Sequence, residues 1–187
     1  AHQACGGGMA ASVQQWFPFS LEPAVEQVIR QVDFSWCLND PVIAELPGAA
    51  PFWIVRRELL DQLLSEQAIQ AGVERINGVD VDDVTRQGDV WTVTSTDQRQ
   101  WRGRSVVISD GSQSPWPQRL GLGAKQPQTA TTMSVRLKGQ GKLSDGTTRF
   151  EFGLVKQGFA WAFPLAGGVN IGAVSYTHLT LPTMDSV

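Results

Sequence analysis

Phe52-Trp53-Ile54-Val55-Arg56-Arg57-Glu58-Leu59-Leu60-Asp61 is the stretch from which the fold is read. Four apolar residues form a short strand candidate and run straight into a segment where Leu60, Leu63, Leu64, Ala68 and Ala71 recur at helical spacing. Gly72 then stands where a left-handed residue ends a helix. The spacing predicts a strand over 52–55 and a helix over 57–71, with Arg57 at the junction. An Arg in that place can reach phosphate or ribose oxygens, because its planar fork suits oxyanions. The same residues also suit a solvated charge cluster with an Arg57–Asp61 pair one helical turn apart.

Outward from this unit the period changes to two. Upstream, Val32, Phe34, Trp36 and Leu38 alternate with Gln31, Asp33, Ser35 and Cys37, which predicts a half-buried strand. Pro41 to Leu46 is its hairpin partner, and Pro47-Gly48 breaks the pattern. Cys5 to Met9 is so dense in glycine that no regular structure is expected there. Downstream, strands are expected over 73–76, 79–84, 90–96 and 101–108, the last two joined through Ser95-Thr96-Asp97-Gln98. The run Val106-Val107-Ile108 suits a strand buried on both faces. A short helix over 116–120 stops at Gly121, and strands follow over 129–137, 148–154, 158–164 and 168–173.

Composition narrows the function classes. Hydrophobic residues make up 42% of the 187, which is globular rather than disordered, and the net charge of −3 argues against nucleic-acid binding. No apolar run is long enough to span a membrane, and the opening residues have no signal-peptide pattern. Two cysteines, Cys5 and Cys37, read as ordinary thiols of a cytoplasmic protein, and the two histidines form no metal-ligand spacing. The run from Ser175 to Thr183 holds the chain's one Tyr, abandons the period-two pattern, and resembles translated vector read-through.

Three further features could carry chemistry. In Cys5-Gly6-Gly7-Gly8 the glycines permit close approach of backbone to a ligand, or simply form a surface loop. Asp110-Gly111 follows the apolar 106–108 run, at the strand end where open α/β folds bind ligands; an Asp-Gly turn is the plainer alternative. In Phe159-Ala160-Trp161-Ala162-Phe163-Pro164 a strand would put three rings on one face. Those rings would form either an apolar wall for a ligand tail or sheet core.

The order of these four features resembles the geranylgeranyl reductase family, within the FAD enzymes of the p-hydroxybenzoate hydroxylase fold. The resemblance runs from about Cys5 to Gly172. It implies an α/β architecture, α+β in this piece, with a partial FAD-binding domain interleaved with a mostly antiparallel β-sheet substrate domain. On that layout 1–18 is a flavin-lining loop, 19–51 part of the substrate domain, 52–123 the second half of the FAD domain, 124–173 the substrate sheet, and 174–187 a non-native tail. The resemblance implies that Gly6, Gly7 and Gly8 line the flavin with Cys5 near its reactive face. Arg57 would contact the adenosine side, and Asp110 and Gly111 would form the second FAD motif. Phe159, Trp161, Phe163 and Pro164 would face substrate.

Three departures qualify the resemblance. Ser109 replaces a usual Ala, and Val174 breaks a Gly-x-Gly that Gly172 would begin. No Gly-x-Gly-x-x-Gly occurs, so the chain reads as an internal piece expected to bind FAD weakly or not at all by itself. The implied reaction is hydride transfer from reduced FAD to an isoprenoid double bond, with NADPH or ferredoxin as electron donor and Cys5 or solvent as proton donor. An isoprenoid substrate is compatible with a cytoplasmic enzyme that touches a membrane peripherally. Rival readings are a monooxygenase or halogenase of the same fold, or a non-enzymatic lipid-binding β module.

Overall fold

A computed structural model of the chain describes residues 5–49, 51–122, 129–139, 143–144 and 146–176. In chain order the strands and helices begin with β1 (Gly8–Ala10), β2 (Val25–Ile29), β3 (Gln31–Trp36), β4 (Asn39–Glu45), β5 (Phe52–Val55) and α1 (Arg57–Gln70). There follow β6 (Val81–Gln87), β7 (Val90–Ser95), β8 (Gln100–Gly103) and α2 (Trp116–Arg119). The last four are β9 (Thr131–Lys138), β10 (Thr147–Phe152), β11 (Gly158–Leu165) and β12 (Gly168–Ser175). The class is mixed α+β, dominated by antiparallel sheet. The chain divides into two compact units, one of residues 1–70 with 129–187 and the other of residues 71–128.

The first unit holds a three-stranded sheet, β1-β5-β2, and a six-stranded sheet, β4-β3-β10-β11-β12-β9. In the larger sheet only the β10–β3 pairing is parallel, with Phe150 opposite Phe34. The strand-to-helix junction forms as its sequence requires: β5 ends at Val55 and α1 starts at Arg57. Leu60 is buried with Leu21, Ala24 and Val55, and Leu63 and Leu64 pack against that cluster. Gly72 takes φ +92°, the left-handed conformation that terminates the helix. A second cluster joins Ile29, Ile54, Trp161 and Phe163, so β5 has one core on each face. The second unit holds the meander β6-β7-β8, with the expected turn at 95–98 between its last two strands.

Several segments depart from the sequence expectations. The glycine-dense stretch is partly regular: Gly8 opens β1 and pairs with Ile54. A strand tolerates glycine where neighbours leave no room for Cβ, and a Cβ on Gly8 would stand 2.8 Å from the Phe52 ring. The alternation around Leu38 ends early. Cys37 and Leu38 both take positive φ, +49° and +63°, and make the β3–β4 turn. Residues 73–76 form no strand, nor do Val106 to Ile108, and Val107 is 86% exposed. A strand needs a pairing partner, and among the described residues none pairs with 106–108. Val25–Ile29 was not foreseen, because a register shift between Val25 and Gln27 scrambles its alternation. Residues 177–187 of the suspected foreign tail lie outside the described residues, whereas Ser175 ends β12, buried, with its hydroxyl donated to the Lys156 carbonyl at 2.8 Å.

Candidate functional site

In β11, Phe159, Trp161 and Phe163 share one face, and the register carries that face across the sheet. Trp161 pairs with Phe150 on one side and Gly172 on the other, and Phe150 pairs with Phe34. Ring centroids lie 6.3 Å apart for Phe159–Trp161, 5.9 Å for Phe152–Phe159 and 6.4 Å for Phe34–Phe152. The aromatic face therefore extends well beyond the three residues of the motif. Pro164 points to the opposite face, beyond Ala162, the last residue that pairs with β10, where its missing N–H is tolerated.

Trp161 and Phe163 are buried, and the Cys-Gly-Gly-Gly segment is what covers them. A Cβ on Gly6 would come within 2.6 Å of Phe163 and 2.8 Å of the Trp161 indole nitrogen. On Gly7, at φ +79°, it would come within 2.2 Å of the Val55 carbonyl oxygen, which is backbone and cannot swing away. The glycines are thus required first by packing: they bring the loop onto the aromatic face and onto β5. Gly8 is exposed, and Phe159, Phe150, Phe152 and Phe34 are only half-buried. The accessible apolar surface is the part of the wall running from Phe159 toward β10 and β3.

Two polar links fix the loop. The Arg57 guanidinium donates to Cys5 Sγ at 3.6 Å, and the Gly7 N–H donates to the same sulfur at 3.4 Å. Arg57 also donates to Asp61 Oδ1 at 3.3 Å, the helix pair anticipated from the sequence. Its pKa is raised above the ordinary value, first by the Cys5 hydrogen bond, against a smaller desolvation, and then by the Asp61 charge. The second link was not foreseen. The Trp161 indole N–H donates to Asn170 Oδ1 at 3.0 Å, and Asn170 Nδ2 donates to the Cys5 carbonyl at 3.4 Å. Asn170 is 1% exposed and so spends its amide on holding ring and loop together. Its sequence signal is weak but real. Asn170 shares a strand face with Gly172, and a polar residue on an otherwise apolar face needs a partner. Gly172 itself is explained by Trp161, since a Cβ there would lie 2.1 Å from the indole.

Cys5, Gly6, Gly7, Gly8, Arg57, Phe159, Trp161 and Phe163 are thus brought together in the first unit. Asp110 and Gly111 belong to the second. There Gly111 takes φ +98° and its carbonyl accepts the Ser114 N–H at 3.1 Å, so an Asp-Gly turn does form. Asp110, Ile108 and Trp116 line a cleft of about 480 Å³ together with Val81, Val84 and Val93. Among the described residues no group of His, Cys, Asp and Glu could hold a metal, and no helix is long and apolar enough to cross a membrane. For FAD the residues of the first unit fit in kind. An exposed-edge guanidinium sits at the start of α1, where the helix dipole also favours anionic oxygen, beside a backbone loop and an aromatic face.

No protein-family model matches the chain, and no curated protein matches it in sequence. Solved structures do match. One is a geranylgeranyl bacteriochlorophyll reductase-like protein from Thermoplasma acidophilum, at 17% identity and TM-score 0.77, covering 92% of this chain and 46% of that one. A second is the halogenase PltM in complex with phloroglucinol and FAD, at 14% identity and TM-score 0.64, covering 82% of this chain and 36% of that one. A third is a flavoprotein/dehydrogenase from Cytophaga hutchinsonii, at 20% identity and TM-score 0.60, covering 80% of this chain and 39% of that one. The chain spans less than half the length of each of these proteins. At such identities the likeness is one of architecture: the chain shares its fold with these three proteins over 80–92% of its length.

Proposed function

We propose that this chain is part of an FAD-dependent reductase acting on carbon–carbon double bonds of an isoprenoid substrate. The observation that carries the reading is the docking of the Cys5–Gly8 loop onto the aromatic face of the larger sheet, with Arg57 bonded to Cys5 and Asn170 bridging Trp161 to the loop. A cofactor loop and a greasy wall built against each other suit chemistry between a flavin and an apolar chain. The likeness in fold to a geranylgeranyl bacteriochlorophyll reductase-like protein and to an FAD-bound halogenase is compatible with it.

When bound, reduced FAD would supply a hydride to one alkene carbon, and the other carbon would take a proton. Gly6, Gly7 and Gly8 would border the flavin. Arg57 and the first turn of α1 would take anionic or ribose oxygens, and Asp110 and Gly111 are proposed as further cofactor ligands on the resemblance alone. The Cys5 thiol would hold the proton for the second carbon, with solvent as its rival. Phe159, Phe150, Phe152 and Phe34 would hold the tail and exclude water. Trp161 and Phe163, also proposed on the substrate side, would contribute through the packing of the wall itself, and Pro164, the last of that set, would act from the opposite face of the strand. NADPH or ferredoxin would supply the electrons.

The test uses the whole protein with reduced FAD under anaerobic conditions. A geranylgeranyl substrate should gain two hydrogens per bond reduced while the flavin is oxidised. Phe152→Ala should weaken long-chain substrates by roughly tenfold and short ones far less, as a ring contributes about 1.5–3 kcal/mol when fully buried. Product formation only in the presence of oxygen would instead identify a monooxygenase or halogenase.

A further inference from the structure

Cys5 is held at two ends by elements remote from it in the chain. Its carbonyl accepts Asn170 Nδ2 at 3.4 Å, from β12 and 165 positions away. Its sulfur accepts the Arg57 guanidinium at 3.6 Å, from the start of α1 and 52 positions away. The Gly7 N–H donates to the same sulfur at 3.4 Å. Backbone this rich in glycine has little conformational preference of its own, so its neighbours decide where the thiol points. A cysteine side chain has three staggered positions about χ1. Pinning both the carbonyl and the sulfur of one residue selects one of them. The chemistry of position 170 is specific to that task. An indole N–H can only donate, and a main-chain carbonyl can only accept. The group between Trp161 and Cys5 must accept at one end and donate at the other, as the Asn170 amide does. A carboxylate lacks the donor, and an aliphatic residue lacks both. At 1% exposure, bulk water cannot substitute for a lost partner.

We propose that Asn170 is the positioning residue for the Cys5 thiol: it pins the Cys5 carbonyl so that the sulfur stays on Arg57. Trp161 holds the other end of the amide, so the indole orients Asn170 and Asn170 orients the loop. In this role Asn170 acts through Cys5 and not on the substrate. A reacting group must be held within a fraction of an ångström of its productive place, and a second shell of hydrogen bonds does that holding. The proposal deepens the flavin reading, because the use of the thiol as a proton source rests on that reading. The positioning itself rests on the hydrogen bonds alone.

Amide hydrogen exchange followed by NMR tests the positioning without flavin. Asn170→Asp keeps an acceptor for the indole and loses the donor to Cys5. It should speed exchange of the Val55 N–H, which donates to the Gly7 carbonyl at 2.8 Å, about tenfold relative to the amides of β10. Asn170→Ala, which buries no charge, should do the same. Trp161→Phe spares the bond from the amide to Cys5 and should change that ratio less than about threefold. Equal acceleration at Val55 and throughout β10 would mean that Asn170 only stabilises the unit. An effect of Trp161→Phe as large as that of Asn170→Ala would mean that ring packing holds the loop. Either result overturns the proposal. In the whole protein with reduced FAD, Asn170→Asp and Asn170→Ala should lower kcat about tenfold and leave KM for a geranylgeranyl substrate within about twofold, because the wall is intact. Adding Cys5→Ala should lower kcat no further, and a second full loss would overturn the proposal by showing that Asn170 acts by another route. If Cys5→Ala alone leaves kcat unchanged while the exchange result holds, solvent is the proton source; the use of the thiol then falls and the positioning stands.

Discussion

Replacing Gly172 by Ala probes the joint between Trp161 and β12. The added Cβ would lie 2.1 Å from Trp161 Cζ2 and 2.6 Å from Cε2 and Cη2, so the indole must swing away. Overpacking of this kind costs about 1–3 kcal/mol. The swing also separates Trp161 Nε1 from Asn170 Oδ1, now 3.0 Å apart, and strands a buried amide, for about 1 kcal/mol more. The expected loss is therefore about 2–4 kcal/mol, a large share of the 5–15 kcal/mol typical of a domain. Urea unfolding followed by circular dichroism measures it. A cycle with Trp161→Phe isolates the cause, since phenylalanine lacks the outer indole atoms that collide. In that background Gly172→Ala should cost less than about 1 kcal/mol, a coupling of at least about 1 kcal/mol. Additive costs within about 0.5 kcal/mol would refute the account of Gly172 as the recess for the indole.

Two other outcomes follow from the buried and paired carboxylates. Glu151→Ala removes the acceptor for the Ser35 hydroxyl and the Leu38 N–H, so it should destabilise the first unit by about 1–3 kcal/mol and speed amide exchange at Leu38; unchanged exchange there would mean that Glu151 does not hold the turn. Asp97 has its pKa pushed well below the ordinary carboxylate value, mainly by hydrogen bonds from Arg99 and then from Ser95. Because the folded-state value is the lower one, its contribution to the 95–99 turn is complete above the unfolded value of about 4 and is lost as pH falls through the folded value. An NMR titration of Asp97 with a midpoint at or above about 4 would contradict that pairing.

Local patterns carried much of the fold. The helix at 57–70 announced itself through leucines at helical spacing and a terminal glycine, and the strands β3, β7 and β10 to β12 through alternation over five or more residues. What stayed hidden is non-local. The parallel pairing of Gln31–Trp36 with Thr147–Phe152 leaves no mark in either segment, because ladder hydrogen bonds use backbone common to all sequences. Gln31 and Asp33 meet Thr147 and Arg149 across that seam, yet each reads alone as an ordinary polar strand residue. Val106 to Ile108 misled for the converse reason: an apolar run reports that burial is wanted, and it does not report which segment supplies it. At the candidate site the aromatic triplet and the glycine run were visible, whereas Asn170, which ties one to the other, has no spacing rule to reveal it.

The β3–β10 seam also orders events in time. It joins residues 116 positions apart, with the whole of 71–128 between them. A ribosome releases the first strand long before its neighbour exists, so β3 and β4 wait as an isolated hairpin, too little sheet to persist alone in water. The meander of 81–103, whose strands are all sequential neighbours, can meanwhile close on its own. Assembly of the six-stranded sheet is thereby expected to be the slow step, and the waiting hairpin the species on which a chaperone would act.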